Sequence, residues 1–316
     1  MTHTQHGGNP ISGLRQALPY LRLYRGRTFV VKLGGEACLD PRAVRSLLEQ
    51  VGVLSELAIR IVLVHGGGPQ TSRLAERLGL TTTKLDGRRV TDAATLETVV
   101  LSINGEVNTS LLSAARAVGL AAVGLSGIDA GLVRARRRPV VDGRDYGLVG
   151  DIEAVDPRAL RLLLADGLVP IVSPIAADDD GAPLNVNADT VAAAIARALG
   201  AEKLLFLLDR PGILEHPDDP GSLVSYLDLA GLARMIESGA IAGGMLPKAR
   251  AAADALAGEV GRVHFLSAFE RDALLREVFT NDGAGTLLVR EKSELAPAER
   301  LDDLPSLSVG PAGLPA

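Results

Sequence analysis

Short apolar runs alternate along the chain with longer segments whose apolar residues recur every three or four positions. The runs at 28–33, 60–64, 120–125, 169–175, 203–208, 262–266 and 286–289 are rich in Val, Ile, Leu and Phe, which predicts buried strands, with 148–153 as a returning strand. Between them, Val44, Leu47, Leu48 and Val51 predict a helix opened by Pro41. Leu96, Val99, Val100, Ile103 and Val107 predict a long one from about Ala93, weakened in its middle by Gly105. Leu160, Leu163 and Leu164, and the spans 229–237, 247–257 and 270–278, predict four more. Strand, glycine loop, helix is the order of a βα unit, so the chain reads as α/β. Ahead of the first strand, Ile11, Leu14, Leu18, Leu21 and Tyr24 share one helical face, with Pro19 expected to kink the helix or begin a second segment. That face has two uses open to it: docking on its own domain or on another subunit.

Where strands end, the chemistry begins. FVVKLGG at 29–35 sets Lys32 beside Gly34 and Gly35, an ammonium next to backbone with little side-chain shielding, where anionic oxygens can approach both charge and amides. The run IVLVHGGGP at 61–69 ends in three glycines before a helix, which suits either an anion loop or a tight turn. LLFLLDRPG at 204–212 ends in Asp209, and GGMLPKA at 243–249 carries an isolated Lys248. These edges are expected to converge on one phosphoryl-transfer site.

In GRRVTD at 87–92 two arginines precede a helix that Thr91 or Asp92 would cap, and their planar forks suit a carboxylate. In NVNADT at 185–190 the polar residues open an alanine-rich helix; Asp189 is either a cap or the holder of two lysines. Asp178–Gly181 is read as a solvated turn, and the basic run Arg134–Arg138 as an exposed hairpin face. The polar, proline-bearing loop after Asp209 marks an internal boundary near residue 200.

Composition narrows the partners. A length of 316 residues admits two lobes, and 47% hydrophobic with 22% charged residues is ordinary for a folded, soluble chain. A net charge of -5, no Trp and 3% aromatics argue against nucleic acid, whose binding draws on basic surfaces and stacking rings. One cysteine, Cys38, allows no internal disulfide and no multi-thiolate metal centre, which suits a reduced, cytoplasmic setting. The first ten residues carry no basic region followed by an apolar run, and no apolar stretch reaches membrane-spanning length. His3 and His6 are read as part of a flexible terminus.

VKLGG at 31–35, VHGGGPQ at 64–70, RVTD at 89–92, VGLSG at 123–127, NVNADTVA at 185–192, GGMLPKA at 243–249 and VFTNDGAGTL at 278–287 together resemble the amino acid kinase family. The resemblance runs from about Leu14 to Val289. It is strongest to the branch that phosphorylates the side-chain carboxylate of N-acetyl-L-glutamate with ATP. It implies a mainly parallel open sheet sandwiched between helices. It also implies an N-terminal extension and oligomerisation helix at 1–26, an acyl-amino-acid lobe at 27–200, a nucleotide lobe at 201–291 and a tail at 292–316. It implies Lys32 and Lys248 as stabilisers of the transferring phosphoryl group and Asp189 as their organiser. Gly67, Gly68, Arg89 and Asn185 are implied at the acylated amino acid, with Arg89 at its α-carboxylate. Gly34, Gly35, Asp209 and Gly212 are implied at the nucleotide, with Mg²⁺ held by ATP phosphates and water. His65 and His264 are read as structural.

ISGLRQALPYLRLYRGRTF at 11–29 resembles the extra helix of the arginine-sensitive branch, whose dimers interlace into a hexamer, a trimer of dimers. The stretch GAGT and Glu277, with Gly285, fall where that branch binds inhibitory L-arginine. Some members also pair with a trimeric PII signalling protein, which nothing in these residues establishes. The chain departs from the family pattern at Leu33, where tyrosine is common, at SGIDAG, which lacks the usual lysine, and at HFLSAF, 264–269, near the regulatory site. Two other readings stay open: a kinase for an N-acylated or carrier-linked aminoadipate, with Arg134–Arg138 facing an acidic carrier, and a catalytically silent arginine sensor.

Overall fold

The computed structural model describes residues 10–85, 88–140, 142–216, 218–280 and 283–291. His3, His6, Gly87, Asn281, Asp282 and the tail at 292–316 lie outside the described residues.

In chain order the strands are β1 (Thr28–Leu33), β2 (Arg60–His65), β3 (Lys84–Leu85), β4 (Arg88–Arg89), β5 (Ala122–Ser126), β6 (Val133–Arg137), β7 (Gly150–Val155) and β8 (Val169–Ser173), followed by β9 (Ile175–Ala177), β10 (Pro183–Asn185), β11 (Lys203–Leu208), β12 (Tyr226–Asp228), β13 (Arg262–Ser267) and β14 (Gly285–Val289). The α-helices are α1 (Pro10–Tyr24), α2 (Pro41–Glu56), α3 (Gly68–Arg77), α4 (Ala93–Val100), α5 (Thr109–Ala117), α6 (Arg158–Ala165), α7 (Ala188–Leu199), α8 (Leu229–Glu237), α9 (Met245–Ala257) and α10 (Ala273–Phe279).

One 8-stranded sheet in the order β12-β14-β13-β11-β1-β2-β8-β5 runs through the molecule. All its neighbours are parallel except β13 and β14. Period-two alternation along these strands supplies two cores, one on each face. Val30, Val62, Val64, Leu204 and Phe206 pack under α7 and α9; Phe29, Val31, Ile61, Leu63, Leu205 and Leu207 pack under α2, α5 and α10. Strands from residues 28–173 fill one half of the sheet and strands from 203–289 the other, meeting where β1 pairs with β11. A 4-stranded sheet, β10-β9-β6-β7, stands beside the first half and carries the arginine run.

One alternative left open at Pro19 is settled, and two local outcomes depart from the sequence reading. Helix α1 passes through Pro19 as one element, so no second segment begins there. Pro19 itself is exposed, and on the same helix Tyr24 is buried while Leu18 and Leu23 are exposed. The expected strand at 169–175 is cut at Pro174, which lacks a ladder donor, into β8 and β9. The long helix from Ala93 widens into a π-helical stretch at Leu101–Asn108, around Gly105. Its polar residues tie neighbouring elements together: Ser102 meets Thr71 at 2.6 Å, and Asn108 donates to Ile171 O at 3.0 Å.

The basic run is an exposed hairpin face. Arg134 faces Glu153 and Asp179, Arg136 faces Glu153, Arg137 faces Asp145 and Arg138 faces Asp151, with Arg138 also over the Tyr146 ring. Each of these cations has a carboxylate in its own sheet or flanking turns. The free positive charge on which a carrier-protein reading rested is therefore already matched. Asp178 also behaves as a turn residue, its Oδ1 accepting from Asp180 N and Ala182 N.

Candidate active site

The carboxyl ends of β1 and β2 carry the two glycine turns, and their packing explains the glycines. A Cβ on Gly35 would lie 2.8 Å from Pro69 Cδ and 3.1 Å from Gly68 N, so the two turns approach as bare backbone. A Cβ on Gly67 would lie 2.8 Å from Ile103 Cγ1, which the π-helical stretch brings over the loop. Gln70 Nε2 donates to Gly35 O at 3.0 Å and clasps one turn to the other.

Helix α7 is capped by Asn187, whose Oδ1 accepts from Asp189 N at 2.8 Å and Thr190 N at 3.1 Å. This leaves the Asp189 carboxylate unspent on capping. It sits 2.6 Å from Lys32 Nζ and 3.4 Å from Lys248 Nζ, bridging the end of β1 and the first turn of α9. Lys248 also donates to Gly244 O at 3.1 Å. Lys32 and Asp189 are both 4% exposed. Burial by itself pushes the Asp189 carboxyl up, but the two ammonium groups outweigh it and hold it below the usual carboxylate range. Two cations and one anion leave the cluster with a net positive charge.

The cluster faces a cleft of about 310 Å³ lined also by Gly35, Glu36, Gly66, Gly67, Gly68, Arg89, Asn185 and the apolar Val99, Ile103, Val149, Pro174 and Val186. Arg89 Nη2 donates to Gly68 O at 3.1 Å and to Ser72 Oγ at 2.7 Å. Its Nη1 is buried and has no hydrogen-bond partner, and burial lowers the guanidinium's pKa from its ordinary value. Arg89 as a whole is half-buried, but a buried N–H with no acceptor is costly unless a ligand completes it, and on a guanidinium an anion does so. Asn185 Nδ2 donates to Thr91 Oγ1 at 3.1 Å, which orients its amide at the cleft wall.

Of the residues singled out from sequence, Lys32, Gly35, Gly67, Gly68, Arg89, Asn185, Asp189 and Lys248 share this cleft. Gly34 lies just behind it, its N–H donating to Leu207 O at 3.3 Å. Asp209 and Gly212 do not line the cleft; they follow β11, the neighbour of β1, with Asp209 3.5 Å from Arg210. Asp92, not Thr91, caps α4, accepting from Thr95 N at 2.7 Å.

Glu277 and Gly285 belong to a different place. Lys203 Nζ lies 3.0 Å from His264 Nε2, and His264 Nδ1 donates to Glu277 Oε1, while Ala284 N donates to Glu277 Oε2 at 2.6 Å. Lys203 also stands over the Tyr24 ring. Burial, aided by Lys203, lowers the His264 pKa to about 4; burial raises Glu277, but its bonds from His264 and Ala284 prevail and bring it to about 2. His65 is likewise neutral: Nδ1 donates to Gly66 O at 2.9 Å, Nε2 accepts from Asn108 at 3.0 Å, and burial lowers its pKa to about 4. Ser72 and Lys203 were missed in the sequence. A lysine opening the otherwise apolar run KLLFLL was the signal for the second; Ser72 gave none.

The sequence model of the amino acid kinase family matches residues 27–267. The chain belongs to that family. Acetylglutamate kinase from Myxococcus xanthus is 49% identical over 296 residues, covering 90% of this chain and 96% of that one. The chloroplastic acetylglutamate kinase of Arabidopsis thaliana is 42% identical over 275 residues, covering 87% of this chain and 79% of that one. Among solved structures, N-acetylglutamate synthase from Neisseria gonorrhoeae, complexed with coenzyme A and N-acetyl-glutamate, matches with a TM-score of 0.80 at 31% identity. That match covers 90% of this chain, which spans 64% of the synthase. Carbamate kinase from Giardia lamblia bound to AMP-PNP shares the fold, with a TM-score of 0.63 at 16% identity over 84% of this chain and 99% of that one. The amino acid kinase fold is thus the architecture described above, and no helix among the described residues is long and apolar enough to cross a membrane.

Proposed function

We propose that this kinase transfers the γ-phosphoryl group of ATP to the side-chain carboxylate of N-acetyl-L-glutamate, in arginine biosynthesis. The observation that carries it is the Lys32–Asp189–Lys248 cluster facing a cleft whose far wall holds Arg89 with an unpartnered donor. Arg89 takes the α-carboxylate, Asn185 and the backbone of Gly67 and Gly68 take the acylamino group, and the side-chain carboxylate points to the lysines. A carboxylate oxygen attacks Pγ, the bond from Pγ to the bridging oxygen breaks, and ADP leaves with that electron pair. The product is N-acetyl-L-glutamyl 5-phosphate. The acceptor is already ionised at neutral pH, so no base removes a proton. Charge compensation is the main problem, and preorganised ammonium groups and amides supply it.

The nucleotide lies along the second half of the sheet, with its phosphates at Gly34 and Gly35 and the rest toward Asp209 and Gly212. In this reading residues 27–200 hold the acceptor and 201–291 the nucleotide. Mg²⁺ would arrive with ATP: the Asp189 carboxylate is ion-paired with Lys32 and Lys248, and among the described residues no group of three His, Cys, Asp or Glu is placed to hold a metal. Phosphates and water would then supply its ligands, and the ion would add to the charge compensation that Lys32 and Lys248 provide.

The test is ADP release with Mg·ATP and either N-acetyl-L-glutamate or N-acetyl-L-aminoadipate. Preference for the glutamate derivative supports the assignment; preference for the longer acid, or no release with either, overturns it. Arg89→Ala is expected to raise KM for the acceptor on the order of 10²-fold, from the loss of a desolvated charge pair, with KM for ATP nearly unchanged. Initial-rate measurements varying each substrate in turn check this.

Regulation by L-arginine and assembly of α1 into a cytoplasmic hexamer complete the proposal. Support comes from Glu277, a buried carboxylate beside His264 and Lys203, and from the exposed Leu18 and Leu23 on α1. Glu277→Gln is expected to weaken arginine inhibition at least tenfold with kcat retained. An unchanged arginine titration, or a monodisperse dimer in scattering measurements, would count against the regulatory part alone.

A further inference from the structure

We infer that Thr286 is a positioning residue for the nucleotide, its hydroxyl holding the loop after β11 in the place where ATP is bound; this rests on the assignment of Asp209 and Gly212 to the nucleotide site. Thr286 is 0% exposed and lies at the start of β14. Ile213 N donates to its Oγ1 at 2.9 Å, and Ile213 is itself buried. The contact is made at backbone range. A Cβ on Gly212 would stand 2.6 Å from Thr286 Oγ1 and 3.1 Å from Thr286 N; a Cβ on Gly285 would overlap Phe265 O and lie 2.9 Å from Pro211 O. Two glycines therefore let Pro211–Ile213 rest directly on β14.

Beyond Ile213 the loop closes on itself: Val224 N donates to Ile213 O at 2.9 Å, Glu215 N to Ser222 O at 2.9 Å, and Leu214 bridges to Leu223. The Thr286 hydroxyl thus ties the entry of this excursion to β14, while Leu287 N, donating to Ser225 O at 2.8 Å, ties its exit. Without the hydroxyl the Ile213 N–H is buried with no acceptor, and the loop shifts toward water to satisfy it. That shift moves Asp209–Gly212, while Arg89 on β4 and Asn185 on β10 belong to two separate small sheets that have no strand in common with β11 or β14.

Thr286→Val, which keeps the shape and removes the acceptor, is expected to raise KM for Mg·ATP and Kd for ADP about tenfold, with KM for N-acetyl-L-glutamate within twofold of wild type. Thr286→Ser, which keeps the hydroxyl, restores both. Should the valine variant not fold, Thr286→Ala is read in the same way. Equal rises in both KM values would reduce Thr286 to a structural residue, and an unchanged ATP value would also overturn the inference. Hydrogen exchange of peptides spanning 209–213 in the wild-type protein, with and without ADP, separates the two levels. Protection by ADP with a flat Thr286→Val result sinks the inference alone, whereas no protection sinks the placement of the nucleotide and the inference with it.

Discussion

Replacing Lys32 by alanine is expected to lower kcat by about 10²–10³-fold and to change either KM by no more than a few-fold. Lys32 is held at the end of β1 by the Asp189 carboxylate at 2.6 Å and is almost entirely buried. Its ammonium is therefore oriented before any substrate arrives and does not reorganise during the reaction. A charge fixed where the transferring oxygens gain negative charge acts mainly on the transition state, so its loss appears in kcat. Lys248 has more solvent around its side chain and keeps a second partner in Gly244 O. Lys248→Ala should accordingly cost less than Lys32→Ala, in the same parameter. Steady-state rates with each substrate varied decide the matter. A Lys32→Ala enzyme with wild-type kcat and a raised KM would move Lys32 from the chemical step to simple binding.

Asp189→Asn is expected to lose stability as well as activity. The substitution keeps the shape but leaves the ammonium groups of Lys32 and Lys248 facing a neutral amide, one of them deeply buried. Removing one partner from a buried ionic cluster costs about 3–5 kcal/mol, which for a chain of this size lowers the melting midpoint by roughly 5–8 °C. The pH dependence follows from the lowered pKa of Asp189. A carboxyl depressed in the folded state contributes stability that is fully present above its unfolded value, about 3.9, and is lost as pH falls through the lower folded value. The gap in melting midpoint between wild type and variant should therefore hold from pH 7 down to about 4 and narrow below that. A gap that widens toward acid would show that Asp189 is not the charged member of the cluster. Turnover should also fall, on the order of 10²-fold, because both lysines lose the group that aligns them.

The helix opened by NVNADT illustrates how far local chemistry can be read. Its polar residues mark a helix start, and a cap was expected there, but which side chain would serve as cap and which would be released depends on backbone torsions at Asn187. With Asn187 in an extended conformation and its amide oxygen on two N–H groups, Asp189 is turned toward the sheet. In the same way, the apolar run at 169–175 fits one strand, yet it breaks at Pro174 and not at Pro170, which stays paired within β8, so the neighbouring strands and not the proline alone set the break. Gly105 in the long helix signals local weakness. Its resolution as a π-helical stretch that sets Ile103 against Gly67 depends on residues far away in sequence, Thr71 and Ile171 among them.

The alternation of strand and helix, the glycine turns at the ends of β1 and β2, and the residue types able to compensate phosphate charge are all legible in the order of residues. These are local properties, written in period-two and period-3.6 patterning, in the backbone freedom of glycine and in the charge of lysine. That Lys32, Asp189 and Lys248, drawn from β1, α7 and α9, meet within one ion cluster, and that Arg89 keeps a buried donor free, follows from the packing of distant segments. Packing also decides that Arg134–Arg138 are matched by their own hairpin and that Glu277 stands with Lys203 and His264, apart from the cleft. Electrostatic energy depends on distance and burial, and parallel strands bring together residues that the chain separates by long crossovers.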